Sequence, residues 1–199
     1  MPNPTFENLN QHRKEEIISV VLQEFEDRSL NQVKVAELIK RLGISRGAFY
    51  KYFEDLDDLY LYLQSYFSEI IHRDIMNCIM ENQQRLFYGI ERYLKRVAEM
   101  NRNSDYWRGI KLLVLGSKTS YSMETIDMEE SPMIRAWFSL LDKNNLHMNS
   151  GEEKISFLFF SMELVMDLLS SFLLNDWESE RLLKEYNFRV AWLSHGLIK

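Results

Sequence analysis

Positively charged and aromatic side chains are concentrated between positions 34 and 53, in the stretch KVAELIKRLGISRGAFYKYF. Five cations there are opposed by a single acid, Glu37. The cations are Lys34, Lys40, Arg41, Arg46 and Lys51. Lysine and arginine bind phosphate oxygens, and an arginine fork can also hold the O6 and N7 edge of a guanine. This chemistry suits a surface that binds a nucleic acid.

Two short helices must position these side chains. Apolar residues recur at helical spacing over residues 34–42, and Gly43 follows them. Glycine adopts the left-handed backbone conformation without a steric penalty, so Gly43 is expected to end the first helix. Ser45 is placed to cap a second helix, over 46–52, by accepting a hydrogen bond from a free backbone N–H. The pattern is typical of a helix-turn-helix, whose second helix enters the DNA major groove.

The second helix has two distinct faces. Its predicted buried face consists of Ala48, Phe49, Tyr52 and Phe53. Seven residues on or beside its open face are assigned to DNA, namely Lys34, Ser45, Arg46, Gly47, Tyr50, Lys51 and Tyr52. Arg46 could read a guanine, Gly47 would let the backbone approach the bases, and Tyr50 would donate to a phosphate. Core packing is the alternative role for both tyrosines, and a solvated charge is the alternative for Lys51.

The stretch GISRGAFYKYFEDLDDLY resembles the recognition helix of TetR-family regulators, which typically reads G-V-S-x-G-T-L-Y-x-H/Y-F-x-x-K-x-x-L. The matching positions are Gly43, Ile44, Ser45, Gly47, Tyr50, Tyr52, Phe53 and Leu59. The motif resemblance covers roughly residues 11–60, and the rest agrees in length and helical pattern. It implies a homodimeric transcriptional regulator that binds a near-palindromic double-stranded DNA operator.

Three positions depart from the family pattern. Ile39 stands where the family usually has an alanine between the two helices, and Phe49 replaces a leucine. Leu56 stands where many members have a lysine that contacts a phosphate. The loss of one phosphate contact would lower the affinity for DNA and flatten its dependence on salt.

Composition and charge set the class of protein. The 199 residues are 46% hydrophobic, include only seven glycines and three prolines, and show almost no alternating β pattern. This predicts an all-α protein with an N-terminal three-helix helix-turn-helix domain and a C-terminal helical domain. Cys78 is the single cysteine and no signal peptide is apparent, so a cytoplasmic protein is expected.

The charge is uneven along the chain and suggests two domains. Residues 1–53 carry a balance of +1 and residues 54–199 carry −7, giving the net charge of −6. We therefore predict a DNA-binding domain over 1–53, with its motif at 34–53, and a dimerisation and effector-sensing domain over 54–199. Arg13 and Lys14 could reach a phosphate or could equally be a solvated helix end.

Helical periodicity continues through the rest of the chain. Helices are predicted near residues 10–27, 55–80, 83–101, 105–118, 132–144, 152–174 and 178–197. Asp55 is expected to cap the helix that follows it, and Ser131 to cap the helix that starts at Pro132. Residues 119–131 read as an acidic loop.

The stretch 152–174 is hydrophobic nearly all round, which invites comparison with a membrane span. Glu163 and Asp167 interrupt it and its flanks are acidic, so we expect no membrane contact. A helix buried by its own core and by a partner subunit fits better. The resemblance implies that the last two helices pair with their copies as a four-helix bundle.

The second domain is rich in aromatic residues and methionine, which could line a cavity for a small hydrophobic effector. The candidates are Phe87, Tyr88, Trp107, Trp137, Phe138, Phe159, Met162, Glu163 and Met166. Each could instead be ordinary core. Glu163, with Asp167, could attract a cation or form a solvent-exposed stripe.

Signatures of catalysis are missing from the sequence. The four histidines are scattered, no metal-ligand spacing occurs, and there is neither a phosphate-binding glycine loop nor a G-x-S-x-G motif. We expect no enzyme activity, no metal and no cofactor. The favoured interpretation is a repressor released by an effector; the alternative is an adaptor or coactivator of the same fold, switched by a protein partner.

Overall fold

The computed structural model describes residues 2–26, 28, 30–116, 132–144, 146 and 148–196. These residues form α-helices without any strand, which confirms the predicted all-α class. The helices are α1 (Pro4–Glu7), α2 (Gln11–Phe25), α3 (Val35–Leu42), α4 (Arg46–Tyr52), α5 (Leu56–Glu81), α6 (Leu86–Ala98), α7 (Asp105–Gly116), α8 (Pro132–Lys143), α9 (Gly151–Leu174) and α10 (Ser179–His195).

Helix α1 was not predicted, because four residues are too few to show a helical period. The helix predicted from residue 83 begins at Leu86 instead, since Gln83 and Gln84 both adopt a φ of 59° and so leave the helical conformation. The acidic stretch 119–131, with the predicted cap Ser131, lies outside the described residues.

The described residues of Met1–Ile71 and Asn101–Gly116 form one compact unit. Within it α2 packs against α3 and α7. Arg108 of α7 donates to the Glu26 carboxylate over 2.8 Å. A β-carbon at Gly109 would overlap the Phe67 ring, so a glycine is needed where α7 meets α5. These contacts fasten the helix-turn-helix elements to the first part of α5.

The described residues of His72–Met100 and Ser117–Lys199 belong to a second unit. Here α10 packs on α6 and α9, and α9 also contacts α8. The Tyr186 hydroxyl donates to the Phe87 carbonyl over 2.7 Å, which ties α10 to α6. Helix α5 contributes residues to both units. The functional boundary predicted at residue 53 stays a prediction.

A single side chain fastens the turn between α5 and α6. Asn144, just after α8, accepts a hydrogen bond from the Leu86 N–H over 2.9 Å and donates to the Gln84 carbonyl over 2.7 Å. The first of these bonds caps α6, whose own N-cap residue Arg85 makes no side-chain cap. The left-handed turn therefore depends on a residue from a distant part of the chain.

Within the described ranges, α9 is the one helix long and apolar enough to cross a membrane, with a mean hydropathy of 1.8. Only 22% of its most apolar window is buried within this chain. Its inward side includes Leu168, Leu169 and Phe172, each at most 3% exposed. The helix thus has one face in the core and another apolar face that the described residues leave exposed.

Candidate nucleic-acid interface and internal cavity

The turn between α3 and α4 has the predicted local geometry. Gly43 has φ 63° and ψ 31°, the left-handed conformation expected at the end of α3. The Ser45 hydroxyl accepts a hydrogen bond from the Ala48 N–H over 3.1 Å, so the predicted cap is confirmed. Asp55 likewise accepts from the Asp58 N–H over 2.8 Å at the start of α5.

Helix α4 presents two faces, as its sequence predicts. Phe49 and Phe53 are each 1% exposed and form its inner side. The outer side carries the exposed residues Arg46, Gly47, Tyr50 and Lys51. These four predicted DNA-binding residues therefore lie together on one open surface.

Arg46 and Tyr50 contact each other one helical turn apart. The guanidinium carbon lies 5.6 Å from the centre of the tyrosine ring, and Nη2 lies 3.5 Å from the hydroxyl oxygen. A β-carbon at Gly47 would meet only the Ser45 hydroxyl, at 3.9 Å. Glycine is thus not required by packing within the chain, and its small size leaves room outside the helix.

The other three predicted DNA residues are placed differently. Lys34 is exposed at the N-cap of α3 and makes no side-chain cap. Ser45 is exposed, but its hydroxyl already accepts the capping hydrogen bond. Tyr52 is half-buried, with its ring centre 6.0 Å from that of Phe6. Tyr52 therefore has a packing role, which the sequence left open.

Ion pairs remove one predicted cation from this surface. Glu24, only 7% exposed, pairs with Arg41 of α3 and, over 3.1 Å, with Arg28. Arg28 also reaches Glu37 over 2.7 Å. Arg41 also donates to the Gln23 side-chain oxygen over 2.7 Å, so its guanidinium joins α3 to α2.

Within the part of the chain that the structure describes, four cations of the motif form no ion pair. They are Lys34, Lys40, Arg46 and Lys51. Arg13 instead pairs with Glu16 over 2.6 Å, and Lys14 with Glu7 over 3.6 Å. Leu56, at the position of the family lysine, is half-buried. The unpaired cations of the motif therefore lie on α3 and α4 or, for Lys34, directly before α3.

The second unit contains a small apolar cavity of about 40 Å³. Its lining residues are His72, Ile75, Met76, Ile79, Ile90, Met133, Trp137, Leu158, Ser161, Met162 and Val165. Ser161 donates to the Phe157 carbonyl over 2.7 Å, and the Trp137 indole donates to the Lys154 carbonyl over 2.9 Å. Burial lowers the pKa of His72 to about 4, so its imidazole is neutral at pH 7.

Two of the predicted effector residues, Trp137 and Met162, line this cavity. Seven do not: Phe87, Tyr88, Trp107, Phe138, Phe159, Glu163 and Met166. Trp107 belongs to the first compact unit. Tyr88 is 39% exposed and stacks on Arg85, whose guanidinium carbon is 4.2 Å from the ring centre.

Sequence reasoning missed most of the cavity wall, although one signal was present. His72, Ile75, Met76 and Ile79 follow the i, i+3, i+4, i+7 spacing that places residues on one helix face. This stripe was not among the predicted effector residues. Among the described residues, no three histidine, cysteine or acidic side chains gather as metal ligands.

A shallow groove runs between α9 and α10. Glu163 is exposed beside it, and Asp167 pairs with Arg189 over 2.7 Å. Three large apolar side chains at this groove are unusually exposed: Phe160 at 43%, Trp192 at 50% and Leu193 at 42%. The acidic pair is therefore surrounded by an uncovered apolar surface rather than by an internal ligand site.

Comparisons with known proteins agree with this architecture. Residues 17–63 match the family described as bacterial regulatory proteins, tetR family. Residues 85–197 match the tetracyclin repressor-like, C-terminal domain. This chain therefore belongs to the TetR family of transcriptional regulators, with a helix-turn-helix domain followed by a C-terminal helical domain.

Two solved structures are similar to the chain. A TetR family transcriptional regulator from Chloroflexus aurantiacus J-10-FL is 19% identical, covering 98% of this chain and 91% of that one with a TM-score of 0.44. A TetR transcriptional regulator from Rhodococcus sp. RHA1 is 16% identical, covering 94% and 97% respectively with a TM-score of 0.48. No curated protein matches the chain.

Proposed function

We propose that this chain is a homodimeric repressor that binds a near-palindromic operator through α4 and is released by a small hydrophobic effector. The observation that carries the proposal is the outer face of α4, where the Arg46–Tyr50 pair, Gly47 and Lys51 share one exposed surface. Arg46 would read a guanine edge, and Tyr50 and Lys51 would bind phosphates. Each dimer would place two such helices roughly 34–36 Å apart.

The uncovered face of α9 and α10 supports a homodimer. Phe160, Trp192 and Leu193 are each more than two-fifths exposed in the single chain. Aromatic residues at the centre of an interface contribute much of its binding energy. We propose that a second copy covers this face in a four-helix bundle, and that α9 is therefore a subunit-contact helix of a cytoplasmic protein rather than a membrane span.

The cavity beside His72 supports an uncharged, apolar effector. Its described lining includes no carboxylate and no permanent cation. A volume of about 40 Å³ is far below the roughly 300–1,000 Å³ of ordinary ligand pockets, so side chains must move to admit a ligand. Met76, Met133 and Met162 are flexible enough to do so.

Release of DNA would follow from the effector's preference for one dimer shape. Helix α5 begins at Leu56, beside the helix-turn-helix, and carries His72 and Met76 of the cavity wall. An effector that tilts α5 would change the separation of the two recognition helices. The effector can shift the equilibrium between the two dimer shapes only by binding one shape more tightly than the other. No catalytic role is proposed.

The small cavity also favours a second candidate function, an adaptor switched by a protein partner. The half-buried Leu56, which removes a phosphate contact expected from the family, agrees with that alternative. Thermal unfolding discriminates between the two candidates. A ligand-switched repressor should be stabilised by some apolar compounds, whereas an adaptor should be stabilised only by its protein partner.

The direct test of DNA binding is fluorescence anisotropy with the DNA that flanks the protein's own gene, titrated with salt. Arg46→Ala and Tyr50→Phe should weaken binding, while Arg73→Ala, an exposed arginine on the second half of α5, should not. Selective binding that falls steeply with salt supports the proposal. If the protein binds neither this DNA nor any DNA selected from random sequences, a direct role in DNA binding is contradicted.

A further inference from the structure

We propose that Phe6 is a positioning residue for DNA recognition, and that α1 braces α4 from behind. The inference rests on the proposed function, since it concerns the orientation of the recognition helix. Helix α4 has only seven residues. Helices this short are not stable alone, so the direction in which α4 points depends on the groups packed against it.

The first contact between α1 and α4 is made by the backbone. The Asn3 N–H donates to the Tyr52 carbonyl over 2.8 Å. Tyr52 is the last residue of α4, and carbonyls in the last turn of a helix have no partner within it. The N-cap residue of α1 thus satisfies one of these carbonyls and fixes the end of α4.

The second contact is a cluster of aromatic rings around Phe6, which is 0% exposed. Its ring centre lies 4.7 Å from that of Phe53, 5.2 Å from that of Tyr62 and 6.0 Å from that of Tyr52. Phe53 and Tyr52 come from the end of α4, and Tyr62 from α5. Phe6 therefore fills the space where these two helices diverge.

Helix α1 also contacts α2. The Lys14 ammonium lies 5.9 Å from the centre of the Phe6 ring and 3.6 Å from the Glu7 carboxylate. Lys14, which the sequence left open as a phosphate ligand, is thus occupied by α1. Contacts to α2, α4 and α5 together hold the short N-terminal helix in one place.

A continuous series of ring contacts links Phe6 to the outer face of α4. Phe53 lies 6.2 Å from Phe49, and Phe49 lies 5.3 Å from Tyr50, measured between ring centres. Tyr50 in turn contacts Arg46. Truncation of Phe6 would leave a void behind these rings, and the interior relaxes only partly around such voids. The Arg46–Tyr50 pair would then lose its fixed position.

The test compares Phe6→Ala with Ile110→Ala, which removes a fully buried side chain from α7 of the same unit. Anisotropy is measured with operator DNA and with scrambled DNA, at a temperature where thermal unfolding shows each variant to be folded. We expect Phe6→Ala to weaken operator binding about tenfold while binding to scrambled DNA changes less than about twofold, because positioning affects base contacts most. Ile110→Ala should retain the wild-type ratio of the two affinities.

Phe6→Leu keeps an apolar side chain without the ring and should lose about threefold in operator affinity, since the ring contacts account for only part of the packing. If Phe6→Ala does not fold, the affinities of Phe6→Leu serve as the test of the positioning role. An unchanged affinity ratio in Phe6→Leu, or an equal loss of ratio in Ile110→Ala, overturns the inference. Wild-type protein that binds no operator refutes the proposed function and the inference with it.

Discussion

The guanidinium carbon of Arg46 lies 5.6 Å from the centre of the Tyr50 ring, so the two side chains are in contact on the outer face of α4. Residues four apart are neighbours on a helix surface, and the tyrosine ring restricts the arginine to a limited set of directions. Ordering a side chain in advance reduces the entropy lost when it binds. The contact would therefore favour the base recognition proposed for Arg46.

Arg46→Lys should separate charge from geometry. Lysine retains the positive charge but lacks the planar fork and the stacking on Tyr50. We expect operator binding to weaken by about 1–3 kcal/mol while binding to scrambled DNA is nearly unchanged. Anisotropy with both DNAs measures this, with Lys51→Arg as the charge-preserving control. An equal loss on both DNAs would mean that Arg46 contacts only the backbone.

Two substitutions of Ser45 should separate its contribution to folding stability from its contribution to DNA affinity. Ser45→Ala removes the cap of α4 and should lower the free energy of unfolding by about 1 kcal/mol. Ser45→Asp supplies another capping oxygen and should keep the stability, but its negative charge should repel DNA. Urea unfolding and anisotropy together test this. Wild-type DNA affinity in Ser45→Asp would place residue 45 away from the phosphates.

The stability of the second unit should depend on pH through His72. Its pKa is about 4 when folded and near 6.5 when unfolded, so protonation favours the unfolded chain. The contribution is fully present above pH 6.5 and is lost as pH falls toward 4, up to about 3 kcal/mol. Urea unfolding at pH 7 and pH 5 should show a smaller difference in His72→Gln than in the wild type. Equal differences would contradict this assignment.

Trp192→Asp should produce monomers. It places a charge in the middle of the apolar face formed by α9 and α10, where its desolvation would be costly. Sedimentation should show half the wild-type mass at micromolar concentration. The matched control is Met80→Asp, because Met80 is 52% exposed on α5. If Trp192→Asp remains a dimer, another surface joins the subunits.

Local signals in the sequence predicted the helix-turn-helix well. The behaviour of Gly43 and Ser45 depends on residues within one helical turn, and both have the predicted geometry. The ion pair of Arg41 could not be predicted from the motif, because its partner Glu24 is seventeen residues away and on another helix. Counting charges within the motif cannot reveal an ion pair that folding creates.

The cavity was predicted poorly for a similar reason. An aromatic or methionine residue reads alike whether it fills core or lines a cavity, so Trp137 and Met162 could not be told from Phe159. The wall depends on how α5, α8 and α9 meet. The four residues of α1 gave no period, yet they place Phe6 in the core.

Asn144 couples the opening of the turn between α5 and α6 to the opening of the end of α8. Its one amide group binds both the Leu86 N–H and the Gln84 carbonyl, so opening of the turn must break both hydrogen bonds to the end of α8. The Leu86 amide should therefore exchange its hydrogen with solvent only when this end of α8 also opens. Since Trp137 of α8 lines the cavity, a molecule that enters there would alter protection from hydrogen exchange at a turn it never touches.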